Sequence, residues 1–118
     1  MKIRSNTMIK HLNGRPLMVD QVPVIDGGRQ VLSGGHGMTV GEALSTMLMQ
    51  EKVPQFNALK AYALAQRFYK SDATDVDEGD LSALREMVEE NKNFTPLVCA
   101  QVLQVLMDAK DQAEKKRK

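Results

Sequence analysis

The sequence contains few of the residues that usually mark a catalytic, metal-binding or disulfide-stabilised protein. Its 118 residues include one cysteine and two histidines. A single cysteine cannot form an internal disulfide, which fits a reducing compartment, and Cys99 is expected to be a small core residue. Cys99, His11 and His36 are far apart and lack metal-ligand spacing, and no CxxC, HExxH or nucleophile-elbow motif occurs. The sequence therefore predicts no enzymatic activity, no cofactor and no metal.

A long apolar run and a strong charge of one sign are also missing. No apolar stretch approaches the roughly 20 residues of a membrane-spanning helix, and the charged N-terminus lacks the apolar region of a signal peptide. The net charge is +1, but it is unevenly placed: residues 1–38 carry five bases against two acids, residues 72–90 carry eight acids against one base, and residues 108–118 carry five bases against three acids. A near-neutral chain is not a typical nucleic-acid binder, although its basic ends leave a nucleic-acid-associated protein as the alternative. We expect a cytoplasmic protein without a membrane partner.

Residues 1–38 are rich in turn-forming and extended residues and are predicted to form β-structure. Asn13-Gly14 separates TMIKHL from RPLMV, and Asp26-Gly27-Gly28 separates QVPVI from RQVLS, and both are hairpin-turn signals. Together they predict a β-hairpin or a short three-stranded meander. Pro16 and Pro23 cannot donate to a ladder, so the middle strand should be irregular. Residues 33–37 should form a flexible joint into the first helix.

Four helices are expected after this joint. Thr39 and Glu42 fit a capping box at the start of the first helix, which should end near Gln50. Residues 54–71 hold four of the five aromatic residues and are apolar on two faces, so we expect them to form a buried central helix. Asp77 is a plausible cap for a third helix with a narrow apolar stripe, and Thr95-Pro96 should start a fourth helix that packs on the central one. The fold class is therefore α+β: the β-rich segment 1–38 packed on a four-helix core of residues 39–112, with a basic tail at 113–118, in a single domain.

Two ligand sites are suggested by the sequence and then disfavoured. Asp75, Asp77 and Glu86 could stand at positions 1, 3 and 12 of a calcium-binding loop, but Asp80 falls where the turn requires glycine. Helix capping and a solvated acidic surface account for the same residues. Residues 34–37 precede a capped helix, as in a phosphate-binding loop, but they lack the lysine of that motif.

Surface residues that could contact a protein partner come from two regions. Met47, Leu48 and Met49 are consecutive, so they cannot all face one core, and methionine suits adaptable protein-binding surfaces. Met47 and Met49 are therefore candidates on the first helix. The acidic stretch 72–90 supplies Asp75, Asp77, Glu86 and Glu89 as a second candidate surface. The apolar excess of the first and fourth helices is compatible with either a monomer or a homo-oligomer.

Four motifs carry a resemblance to a known group of proteins. They are Thr-Val-x-Glu-Ala-Leu at 39–44, Ala-Leu-Lys-x-Tyr-x-Leu-Ala at 58–65, Val-Asp-x-x-Asp-Leu at 76–81 and Phe-Thr-Pro-Leu-Val-x-x-Gln-Val-Leu at 94–103. This order resembles small proteins of tailed phages and prophages, which include helical tail-assembly chaperones and early proteins that redirect host factors. The motifs are packing and capping patterns and carry no catalytic residue. The resemblance implies a protein-binding role in the host bacterial cytoplasm, toward a phage structural protein or a host protein.

Overall fold

The structure, a computed structural model, describes residues 1–50 and 53–116, and these form helices together with short antiparallel strand pairs. The helices are α1 (Val40–Gln50), α2 (Ala58–Lys70), α3 (Glu78–Glu90) and α4 (Pro96–Lys116). The strand pairs are β1 (Lys2–Ile3) with β6 (Thr74–Asp75), β2 (Met18–Val19) with β5 (His36–Gly37), and β3 (Val22–Asp26) with β4 (Arg29–Ser33). The predicted α+β fold is confirmed. Helix α4 includes residues 113–116 of the expected basic tail, and Arg117 and Lys118 lie outside the described residues.

Helix α1, rather than the stretch 54–71, occupies the centre of the helical core. Most of α1 is buried, and it packs against both α2 and α4. Helix α2 buries only one of the two apolar faces identified in its sequence, the face formed by Ala61, Leu64, Ala65 and Phe68. Its other face is in water, since Leu59 is 84% exposed and Tyr69 71% exposed. The prediction of a central helix at 54–71 was therefore wrong, because an apolar face counts toward burial only if another element covers it.

The helix boundaries follow local capping chemistry. The Thr39 hydroxyl accepts a hydrogen bond from the Glu42 backbone N–H at 3.2 Å, and Asp77 Oδ1 accepts one from Asp80 N–H at 2.7 Å, as predicted. Helix α2 begins later than expected, at Ala58, because Asn57 supplies the cap by accepting from the Lys60 N–H at 2.8 Å. The Glu42 carboxylate does not complete the capping box and contacts His36 instead.

Helix α4 packs against α3 and α1. The prediction that it packs on the helix at 54–71 was wrong, because α1 and α3 cover its apolar face. The α3 stripe consists of Leu81, Leu84, Met87 and Val88, all of which are buried. They face α4 residues that are also buried, Val98, Val102, Leu106 and Ala109. Cys99 lies partly buried at the margin of this core, and burial raises the pKa of its thiol. Within the described ranges, no helix has both the length and the apolar character needed to cross a membrane.

The first residues of the chain join the helical core through β1 and β6, a pairing absent from the sequence prediction. Ile3 is fully buried, and the Ser5 and Thr74 hydroxyls form a buried hydrogen bond of 3.1 Å. The Asn6 backbone N–H donates to the Asp72 carbonyl at 3.1 Å. The acidic connection between α2 and α3 is therefore held against the N-terminal segment.

Three backbone hydrogen bonds close a ring within the β-rich segment, just before α1 begins. Ile9 donates to Met38 at 2.9 Å, Met38 donates to Leu17 at 2.7 Å, and Leu17 donates to Ile9 at 2.9 Å. Ile9 is fully buried and Met38 is 8% exposed. The ring anchors residues 8–10, 16–19 and 36–39 to the core, and everything between residues 19 and 36 extends from this base.

Candidate protein-binding surface

No metal centre is apparent in the described part of the chain. No three His, Cys, Asp or Glu residues there are close enough to hold a metal ion. The most unusual feature is instead a two-stranded ribbon, which we define as residues 18–26 and 29–37. It consists of β2 and β3 on one side and of β4 and β5 on the other.

The ribbon is organised by its turn and its register. Gly27 and Gly28 have φ of 58° and 80°, which are the conformations of a two-residue hairpin turn whose twist matches that of the strands. The pairs Asp26–Arg29, Val24–Val31 and Val22–Ser33 share one register, and Val19–His36 continues it. The hairpin predicted around Asp26-Gly27-Gly28 is confirmed.

The middle strand is irregular, as predicted, although the break lies between the two prolines rather than at either of them. Asp20 has a φ of 59°, and Gly34 and Gly35, on the neighbouring strand, have φ of 75° and 76°. These residues separate the β2–β5 pair from the β3–β4 pair. The predicted flexible joint at 33–37 is therefore a bend in the ribbon followed by a strand, β5. A side chain at position 35 would overlap the backbone carbonyl of Val19, so glycine is required there for space as well as for φ.

The outer half of the ribbon, β3 and β4, is not packed on the helices. Among the described residues, neither strand has an extensive contact with a helix, and all five residues of β4 are exposed. The molecule is correspondingly elongated, with extents of 59, 32 and 24 Å. The expectation that the β-segment packs on the helical core holds at the base of the ribbon and fails beyond the bend.

Both faces of the outer ribbon are apolar. One face carries Val22, Val24 and Val31, which are 56%, 38% and 39% exposed, and the other carries Ile25 and Leu32, which are 82% and 65% exposed. Together they leave apolar surface equivalent to nearly three whole aliphatic side chains in water. Covering that surface would contribute up to about 6 kcal/mol, at about 2 kcal/mol for each side chain. An isolated two-stranded ribbon is at best marginally stable, so this ribbon is suited to being covered.

The base of the ribbon is joined to α1 by polar contacts. His36 Nε2 donates to Glu42 Oε2 at 2.8 Å, and His36 Nδ1 lies 3.9 Å from Asp20 Oδ2. The hydrogen bond to Glu42 and the charge of that carboxylate raise the pKa of His36 above its ordinary value of 6.5, and Asp20 adds to the effect. His36 therefore links the bent segment of the ribbon to the first turn of α1.

A second apolar surface lies between α1 and α2. A groove of about 400 Å³ is lined by residues that include Met49, Val53, Phe56 and Tyr62. Met49 is 48% exposed and Tyr62 is 55% exposed. Met49 also borders a neighbouring hollow that contains Asp20 and His36, so the groove and the ribbon base lie on the same side of the molecule.

The structure separates the residues that the sequence suggested as a binding surface. Met47 is 1% exposed and belongs to the core, so its assignment to a partner surface was wrong, because its position on α1 faces the interior. Met49 is exposed beside the groove. Asp75 pairs with Lys2 through β1 and β6, and Asp77 caps α3. Glu86 and Glu89 are exposed on α3.

The exposed apolar surface of the ribbon was not predicted, although the turn between its strands was. The strand sequences VPVID and RQVLS both contain apolar residues at adjacent positions, and adjacent residues of a strand point to opposite faces. A strand of this kind buries both faces or exposes apolar residues on at least one. That signal was available in the sequence.

Comparison with known proteins adds no relative, because no family model, curated protein or solved structure matches this chain.

Proposed function

We propose that this chain is a non-enzymatic accessory protein of a tailed phage or prophage that acts by binding another protein. The observation that supports a binding role is the outer ribbon, which carries exposed apolar residues on both faces and extends away from the core. Evolution usually removes such surface from a monomer unless a partner covers it. The phage setting rests on the four sequence motifs alone. In that setting the partner is a virion protein, for which the chain acts as a tail-assembly chaperone, or a host protein that it regulates in the bacterial cytoplasm.

The proposal is tested by affinity capture from infected cells with the tagged chain and a ribbon variant. Replacing Ile25 and Leu32 with serine removes the two most exposed apolar side chains of the ribbon. Both lie outside the core, so the variant should fold, which circular dichroism and thermal unfolding will verify. The matched control is Leu12→Ser, since Leu12 is 98% exposed and lies outside both the ribbon and the groove.

We expect mass spectrometry to find a protein that the wild-type chain and Leu12→Ser recover equally and that the ribbon variant recovers at least about tenfold less. Enrichment of tail or other virion proteins would support the chaperone role, and enrichment of one host protein would support the regulatory role. Recovery of the same proteins by the wild type and the ribbon variant would contradict the proposal.

A further inference from the structure

The two edges of the ribbon differ in their capacity to pair with another strand. In the hairpin, the Asp26–Arg29 pair that closes the two-residue turn is hydrogen-bonded, and such pairs alternate with pairs whose backbone groups point outward. Pro23 and Ile25 therefore point their backbone groups away from β4, and Gln30 and Leu32 point theirs away from β3. Pro23 has no N–H to donate, so the β3 edge is interrupted, whereas the β4 edge presents the full donor and acceptor set of both its outward residues.

The β4 edge also lacks the other devices that keep strand edges from pairing. Its outward positions are occupied by glutamine and leucine, with no lysine or proline. All five of its residues are exposed, and only Arg29 is charged. A long, exposed and nearly uncharged edge beside one interrupted by proline indicates that the β4 edge has a partner strand.

We propose that the β4 edge pairs in antiparallel with the β4 edge of a second copy of this chain, which joins two ribbons into a four-stranded sheet. The inference rests on the proposed function only in treating the ribbon as the binding element. The register follows from the outward groups: Gln30 of one copy faces Leu32 of the other, so both outward residues of each edge are hydrogen-bonded. Val31 then faces its own copy across a two-fold axis, the commonest symmetry of protein dimers.

This register matches side chains as well as backbone groups. Val24 already faces Val31 within each ribbon, so the dimer forms one continuous row of four valines across the sheet. Arg29 faces Ser33 of the other copy. The two Arg29 residues are then separated by four residues along the strand direction, which is about 13 Å. Their repulsion is weak, because this distance exceeds the screening length of about 8 Å at physiological salt. A second copy thus supplies a largely apolar counterpart for this edge, and its one charged residue, Arg29, faces an uncharged serine.

The expected dimer is reversible. A five-residue edge buries less than the roughly 800 Å² per partner of a standard interface, so we expect dissociation constants on the order of 10 µM. Both faces of the joined sheet remain available to a different protein. Dimerisation is therefore measurable on the purified chain, apart from any capture of a partner.

Two single-cysteine variants test the edge and the register together. Both carry Cys99→Ser, which removes the native thiol, and one adds Val31→Cys while the other adds Val24→Cys. The two valines are 39% and 38% exposed and face each other in the same ribbon, so they are closely matched. In the proposed dimer the two copies of residue 31 are about 4.5 Å apart between Cα atoms, which permits a disulfide. The two copies of residue 24 are three strand spacings apart, about 14 Å, which does not.

We expect oxidation to convert Val31→Cys to a covalent dimer at least about tenfold faster than Val24→Cys. Sedimentation equilibrium of the wild-type chain should show a monomer–dimer equilibrium at protein concentrations of tens of micromolar. Leu32→Pro, which removes one outward N–H of β4, should abolish the dimer, and Ile25→Pro, which removes an outward N–H of β3 instead, should retain it. Equal crosslinking at positions 24 and 31, or a wild-type chain that is still monomeric at about 100 µM, would overturn the inference.

A monomer that still captures a protein through its ribbon would leave the proposed function standing, and a dimer that captures none would contradict that function alone.

Discussion

Met47 and Met49 are two residues apart on α1, and the helix directs their side chains into different environments. Met47 is 1% exposed in the core, while Met49 is 48% exposed beside the groove. We expect Met47→Ala to lower the free energy of unfolding by about 2–5 kcal/mol, because a buried side chain is removed and a cavity is left. Met49→Ala should change it by less than about 1 kcal/mol. Urea unfolding of both variants measures the difference, and similar small effects at the two positions would mean that Met47 is not part of the core.

Gly41 lies where α1 comes close to the backbone of α2. A Cβ at position 41 would overlap the carbonyl oxygen of Phe68, which belongs to the backbone of α2 and cannot move alone, and it would also press on Ser5. An alanine in an ordinary helix position is preferred over glycine by about 1 kcal/mol. Here the overlap dominates, so we expect Gly41→Ala to destabilise the protein by about 1–3 kcal/mol.

The control for this change is Gly79→Ala. Gly79 lies in the first turn of α3, where a Cβ would meet only Asp77 Oδ1 at 3.4 Å. This substitution should be neutral or stabilising by up to about 1 kcal/mol, as helix propensity predicts. Thermal unfolding of the two variants side by side separates the effects. A stabilising Gly41→Ala would show that α1 and α2 are not in close backbone contact.

At the scale of elements, the sequence predicted where helices and turns occur better than which surfaces they bury. Thr39, Asp77 and Thr95-Pro96 locate helix starts because capping is a local interaction among neighbouring residues. The burial of α2 depends on which elements lie against it, and nothing within residues 58–70 records that Leu59 and Tyr69 face water. The two-residue turn at Gly27-Gly28 was likewise predictable, but the distance of the outer ribbon from the core was not. The β1–β6 pair joins residues more than seventy positions apart, which local patterns do not reveal.

The connection between the ribbon and α1 should depend on pH. The Glu42 carboxylate raises the pKa of His36 above 6.5, so the folded state binds this proton more tightly than the unfolded chain does. The stabilising contribution is therefore fully present below about pH 6.5 and is lost as the pH rises through the raised pKa. We expect NMR titration of the His36 ring to show the raised pKa and Glu42→Gln to return it toward 6.5.

The same variant supplies the stability comparison. The difference in unfolding free energy between wild type and Glu42→Gln should be greatest below pH 6.5 and should shrink at higher pH. An unchanged His36 titration in Glu42→Gln would mean that this contact does not persist in solution. In that case the base of the ribbon would be held by backbone hydrogen bonds, which include the ring of Ile9, Leu17 and Met38 and the bond from the Val40 N–H to the Thr7 carbonyl.

At the scale of the whole molecule, the fold brings its basic N-terminal residues against its most acidic segment. Lys2 pairs with Asp75 through β1 and β6, the ammonium group of Met1 lies 3.7 Å from Asp75 Oδ1, and Asn6 contacts Asp72. The start of the chain, with Lys2, therefore lies beside Asp75 on the neighbouring strand. The sequence alone suggested a basic N-terminal end, but in the folded protein acidic residues lie next to this end.

This arrangement leads us to expect no measurable nucleic-acid binding. Non-specific affinity comes mainly from basic side chains that displace counterions from phosphates, and here the net charge is only +1. Fluorescence anisotropy with labelled single-stranded and duplex DNA at about 50 mM salt should show no binding with a Kd tighter than about 10⁻⁴ M, a weak limit for non-specific binders. Asp72→Asn combined with Asp75→Asn raises the charge by two without touching the basic residues, so it provides a positive comparison in which weak, salt-sensitive binding is expected to emerge. Salt-sensitive binding by the wild-type chain would instead favour a nucleic-acid-associated protein, because it would show that the acidic segment does not offset the basic ends.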